Sequence, residues 1–284
     1  MYQIIELDTL ESVMAIVMEQ EYNPKKQRYR SPYVYRGLEK VSFNLTTSLQ
    51  RNCKHLYTEL ESSILRNFTK YAITEDPSLH SSVWKQMILG QHHGLPTRLL
   101  DWTYSPLTAL HFATSQANLD KMERNDCVIW KINIDEIHAL LPKKYSAMLD
   151  EENAGIFTVE MLQKIVDNTE QYDKDMKDRA MVVIEPPSID PRIINQYSYF
   201  SIIPSGMKDI EEFLNVYTEQ SVKYVIKKEL RWRIRDMLDQ LNINERIVYP
   251  GLDGLSQWLA RHYYVKPQAE ETNSGKTSAP PQNL

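Results

Sequence analysis

The chain has 284 residues, of which 42% are hydrophobic and 25% charged, a balance that can bury a sizeable core. Its formal net charge of -5 provides no overall basic field, which argues against nucleic acid as a partner. Two cysteines, Cys53 and Cys127, lie far apart without Cys/His pairs at zinc spacing, so neither a disulfide framework nor a metal site is expected.

No basic run precedes an apolar stretch at the start, and no apolar segment is long enough to cross a bilayer, so a cytoplasmic protein of bacterial type, away from membranes, is expected. Asp8 as cap, with Glu11 three residues on and Leu10, Val13, Met14 and Val17 on one face, predicts a helix to about Gln20. A polar stretch leads to Pro32 and a short strand through Tyr33, Val34 and Tyr35 that stops at Arg36-Gly37. Leu56, Leu60, Ile64 and Phe68, then Val83, Trp84, Met87 and Ile88, predict two core-packed helices over 54–72 and from 83 to Gly90. A strand over 98–103 follows a turn, and Ser105-Pro106 reads as a cap with proline at the first helical position.

Cys127–Ile134 alternates as a strand does, with Val128, Trp130 and Ile132 on one face. The charged, weakly periodic region 150–179 predicts one peripheral helix within a long insertion. Strands are expected at 180–184, 199–203 and 222–226, with a helical turn at 192–196. From Glu229, Leu230, Ile234, Met237, Leu238 and Leu241 define an amphipathic helix that puts Arg231, Arg233 and Arg235 on or beside its exposed side. A turn at 250–254 precedes a last helix through Leu255, Trp258 and Leu259; Trp102, Trp130 and Trp258 read as core. These elements predict an α+β fold, a mixed and in one version split β-sheet with surrounding helices. The expected divisions are a lead-in with its helix at 1–31, one domain at 32–265 and a disordered, Pro/Ser/Thr/Gln-rich tail at 266–284.

Five of the eight glycines, Gly37, Gly90, Gly94, Gly251 and Gly254, fall in or just before polar and aromatic clusters. Glycine serves where φ is positive or a ligand nears the backbone, although caps and turns account for each one singly. The densest segment runs from Gln91-His92-His93-Gly94 through Pro96-Thr97-Arg98-Leu99-Leu100-Asp101-Trp102-Thr103-Tyr104-Ser105-Pro106 to Ala113. It resembles the signature of the FRG domain family, and Tyr35-Arg36-Gly37 resembles the (Phe/Tyr)-Arg-Gly motif that names that family. Arg192-Ile193 to Gln196 and the stretch from Ile243 to Leu255 are similar to its later motifs. The chain departs from the family at Ser198 and at Asn242, where glycine is usual, and at Gly251, where aspartate is.

The family resemblance names no activity. The order of a strand-end arginine, a hydroxyl-bearing strand running into a helix, and a later strand with a polar start is similar in layout to the ADP-ribosyltransferases, which grip NAD in a split sheet. By that likeness Arg36, Thr103, Ser105 and Gln196 are the expected catalytic set, with Asp253, Glu185 or Asp101 as the carboxylate that Gln196 cannot supply. Arg36, Gly37, His92, His93, Arg98, Asp101, Trp102, Thr103 and Tyr104 would hold the nucleotide: guanidinium on phosphate, hydroxyls at a helix start, an aromatic ring on a base. NAD as substrate, a protein acceptor, and a setting in bacterial stress or phage conflict follow as expectations. A non-catalytic module for a nucleotide or partner, and a hydrolase built on His92, His93 and Asp101, stand beside it. For several residues a structural role competes: Arg36 in an ion pair with Asp101 or Asp253, and the two histidines holding their loop.

Overall fold

The computed structural model describes residues 1–24, 27–188 and 190–267. In chain order its elements are β1 (Gln3–Leu7), α1 (Leu10–Ala15), β2 (Glu21–Asn23), β3 (Arg28–Arg30), β4 (Tyr33–Leu38), α2 (Ser48–Cys53), α3 (Tyr57–Ala72) and α4 (Val83–His92). Then come β5 (Leu99–Thr103), α5 (Pro106–Thr114), β6 (Cys127–Asn133), α6 (Ile134–His138), α7 (Lys143–Glu151), α8 (Val159–Ile165), α9 (Thr169–Met176) and β7 (Val182–Ile184). The remainder is α10 (Pro191–Asn195), β8 (Ser198–Ile202), α11 (Ile210–Tyr217), β9 (Val222–Ile226), α12 (Arg231–Gln240), α13 (Glu245–Val248) and α14 (Leu252–His262).

Seven strands form one mixed sheet in the order β1-β9-β6-β4-β5-β8-β7, so the fold is α+β. Among the strands of the described residues only β1 and β9 run parallel; the other neighbours are antiparallel, and β2–β3 is a separate small hairpin. Both sheet faces are covered. Tyr35, Cys127, Ile129 and Tyr224 pack with Ala109, Ala113 of α5 and Ile234, Leu238 of α12. Leu99, Phe200, Ile202 and Val182 pack under α3, α4 and the α7–α9 group, while Val34, Trp102, Trp130 and Val183 meet Ile137 of α6 and Phe213 of α11.

Local signals and outcome diverge in instructive places. The first helix is capped by Thr9, whose hydroxyl accepts from Ser12 N in a reciprocal box, and it gives way to a tighter turn after Ala15, so Asp8 and Glu11 are not its cap. Strand β6 is buried along its whole length, as a central strand covered on both faces must be, and its alternation says which layer each residue meets. Asn242 sits at φ 59 after α12, a left-handed position that asparagine tolerates.

Three further expectations are overturned. Region 150–179 holds the end of α7 and the helices α8 and α9, and Phe157, Leu162 and Tyr172 are among the most buried residues of the molecule, so it is core and not a peripheral insertion. Its apolar residues are divided among three short helices, which hides their period. Arg231 and Arg235 are 0% and 1% exposed, not on the solvent side of their helix. Arg231 donates through its Nη atoms to the main-chain oxygens of Glu39, Ala113, Asn125 and Ser115, and Arg235 pairs with Glu245, so the charged ends are held inside although each Nε is a buried donor without a partner among the described residues. Trp258 is half-buried against His262 and Arg246 instead of lying in the core. The expected tail falls, from 268 onward, outside the described residues.

Candidate functional site

The sheet has a seam. Strands β4 and β5 share a single register pair, Tyr35 with Thr103, whereas β4 and β6 are in register from Tyr33 to Leu38. Beyond that rung the strands part, and Arg36 crosses the opening: its Nη1 donates to the main-chain oxygen of Asp101 at 2.6 Å and to Asp101 Oδ2 at 3.3 Å. Gln91 Nε2 donates to both Asp101 carboxylate oxygens at 3.1 Å, while Gln91 Oε1 accepts from the Thr97 hydroxyl at 2.5 Å. The signature segment therefore builds a relay that fixes Asp101 and, through it, Arg36.

Arg36 is paired but not sealed in. Its Nε is a buried donor without a partner among the described residues, and the half-exposed Asp101 carboxylate faces open space. An inner hollow of about 220 Å³ is lined by Arg36, Asp101, Ser198, Gln196 and Arg192. An outer hollow of about 670 Å³ is lined by Arg51, Glu39, Ser42, Thr46 and Tyr249. The two share Arg36, Gly37 and Phe112, and so form one trough with a waist at the guanidinium.

The trough is cationic and aromatic. Burial, and then the neighbouring charge of Arg36, lower the pKa of Arg51. Arg192 lies 5.0 Å over the Tyr249 ring, and Phe112 meets Tyr249 edge-on at 6.3 Å. Three guanidiniums thus face two carboxylates, of which Asp101 is already engaged by Arg36. That excess, on partly desolvated groups, suits a ligand anion.

Of the residues expected at the ligand, Arg36, Gly37, Asp101, Trp102, Thr103 and Gln196 do line the inner hollow. Several are committed to structure. The Thr103 hydroxyl donates to Gln196 O at 2.6 Å and accepts from Ser105 N at 3.1 Å. The Ser105 hydroxyl accepts from Thr108 N to cap α5, and Gln196 Nε2 donates to Val248 O at 3.0 Å. The Trp102 ring is buried, its Nε1 donating to Ser201 Oγ at 2.9 Å, and Tyr104 lines a different hollow beside Tyr199.

Arg98 is carried away from the trough into a buried network with Glu61 and Asp173, which hold its proton more tightly than usual despite burial. His92 lies 3.3 Å from Asp190, His93 caps the end of α4, and Asp253 sits exposed in the first turn of α14; none of the three lines either hollow. Gly37 earns its place by packing: a Cβ there would lie 2.1 Å from Ala109 O and 2.5 Å from Ala113 N, so α5 rests directly on β4.

Arg51, Arg192, Glu39, Phe112 and Tyr249 were not singled out from the sequence. Phe112 and Arg192 stood inside the quoted motifs, and Tyr249 precedes the Pro250 turn; Arg51 and Glu39 had no local signal. Residues 31–122 match the family model of the FRG domain. Neither a curated protein nor a solved structure matches the chain.

Proposed function

Starting from a chain that carries an FRG domain, we propose that the trough binds a phosphate-bearing nucleotide, with a dinucleotide such as NAD the ligand to test first. The observation that carries this reading is the waist: two hollows of unequal size meeting at a guanidinium. The outer one, about 670 Å³, lies in the range of small-molecule sites and offers Phe112 and Tyr249 to a base. The inner one, about 220 Å³, takes a smaller group, with phosphate oxygens between them on Arg36 and Arg51. The test is calorimetric titration of the full chain with NAD, ADP and AMP, repeated with Arg192→Ala, whose side chain is exposed and whose loss leaves the seam intact. Binding weakened about tenfold or more by that change supports the reading. Absence of binding by all three nucleotides refutes it.

A catalytic version is favoured by one feature, the half-exposed Asp101 carboxylate in the inner hollow. A fixed negative charge there would stabilise an oxocarbenium-like state as the C1′–N bond breaks. Nicotinamide would leave with the bonding pair, and water would add at C1′ and release a proton. Nicotinamide release from NAD, abolished by Asp101→Asn with binding retained, is the expected result; no release, with or without protein acceptors, leaves binding alone.

A further inference from the structure

We propose that Glu39 reads the ribose of the ligand, so that the trough selects ribonucleotides over deoxyribonucleotides. The proposal rests on the nucleotide reading above and deepens it.

Glu39 follows β4 directly and lines the outer hollow. Its main chain is held in place, because its carbonyl oxygen accepts from the buried Arg231 at 3.4 Å. Its carboxylate stands in contrast to the other acid of the trough. Asp101 accepts from Arg36 and from Gln91, whereas among the described residues no hydrogen bond or ion pair reaches the Glu39 side chain. Burial raises the Glu39 pKa, and the charges of Arg231 and Lys40, which act in the opposite sense, do not cancel that effect. A half-buried carboxylate that no protein donor reaches is an open acceptor that a ligand with donors can engage.

Charge decides which part of the ligand this is. A phosphate beside Glu39 would be repelled, so the phosphate belongs on Arg36 and Arg51, and a neutral donor belongs at Glu39. Arg36 and Glu39 are three residues apart, at most about 10 Å between their Cα atoms. A nucleotide whose phosphate sits on Arg36 therefore brings its own sugar nearest Glu39, with the base beyond it against Phe112 and Tyr249. The 2′,3′-diol supplies two O–H donors to one acceptor-only group, the same pairing by which an acidic residue holds the ribose in dinucleotide folds.

The experiment titrates the full chain with ADP, 2′-deoxy-ADP and ribose 5-phosphate by calorimetry at pH 7.5, then repeats the series with Glu39→Ala, whose lost carboxylate takes part in no hydrogen bond or ion pair among the described residues. The expected result is an ADP affinity about tenfold above that of 2′-deoxy-ADP, and a ratio near one in Glu39→Ala with 2′-deoxy-ADP binding unchanged. Equal binding of ADP and 2′-deoxy-ADP by the unmodified protein overturns the inference and leaves the nucleotide reading standing. A preference that persists in Glu39→Ala also overturns it. Ribose 5-phosphate binding as tightly as ADP replaces the ribonucleotide by a sugar phosphate and overturns it as well. Binding of none of the three sinks the nucleotide reading beneath it.

Discussion

Replacing Gly37 by alanine adds one methyl group at the place where α5 rests on β4. That Cβ would lie 2.1 Å from Ala109 O and 2.5 Å from Ala113 N, against an ordinary contact of 3.4 Å or more. To restore normal spacing α5 must lift by about 1 Å, and both of its contact residues are 0% exposed, so no neighbour can give way by rotating a flexible side chain. Overpacking of this kind costs about 1–3 kcal/mol, and rigid backbone on both sides places Gly37→Ala at the upper end or above it. For a chain of this size each kcal/mol corresponds to about 2–4 °C in melting temperature. Urea denaturation should show a lower midpoint at an unchanged slope, and ligand affinity should fall with it, because Phe112 rides on the same helix. Gly94→Ala is the control: nothing lies within 4 Å of a Cβ there, and its cost should be that of a left-handed φ of 83 alone, about 1 kcal/mol. A Gly37→Ala protein within ~0.5 kcal/mol of the original would refute the account of helix on strand.

Two further outcomes are expected. Tyr172→Phe removes a hydroxyl that donates to Ile202 O at 2.7 Å and accepts from Val182 N at 3.0 Å; two buried groups lose their partner, and stability should drop by about 1–3 kcal/mol in urea, whereas a drop below ~0.5 kcal/mol would return region 150–179 to the periphery. His111 and His138 are held down to about 3 and about 4 by burial, joined in His111 by the charge of Arg235, against an ordinary value of 6.5. Their folded pKa lies below the unfolded one, so acid protonates the unfolded chain first. Stability should decline as pH falls through 6.5, the slope approaching about 1.4 kcal/mol per pH unit for each histidine, and a denaturation midpoint flat from pH 7 to 5 would contradict the burial of both.

What the sequence made legible was local. The Ser105-Pro106 cap and the β5 segment need only neighbours to specify them, and they form as expected, whereas β4 runs past the expected stop at Arg36-Gly37 to Leu38 because β6 pairs with it there. The hidden features all depend on distant partners. Arg231 and Arg235 look like solvent-facing charges until the carbonyls and Glu245 that receive them are in place. Strand β1, with four of its five residues exposed, has little apolar pattern of its own and exists because β9 is there to pair with it. The trough follows the same rule: Arg36 and Asp101 were visible in their motifs, while Arg51, Glu39 and Tyr249 become part of it only when the ends of β4, α2 and α13 come together.

The pairing of β1 with β9 has a consequence for how the molecule is made. Gln3 is in register with Val222, so β1 waits on the ribosome for β9, the last strand of the described residues, before its edge of the sheet can close. At a synthesis rate of about 5–20 residues per second that delay is roughly ten seconds or more, a long time for a sheet edge to stay uncapped. Nascent chains of this protein should accordingly lean on a holding chaperone until residue 226 has emerged, and their protease resistance should rise abruptly at that length rather than gradually.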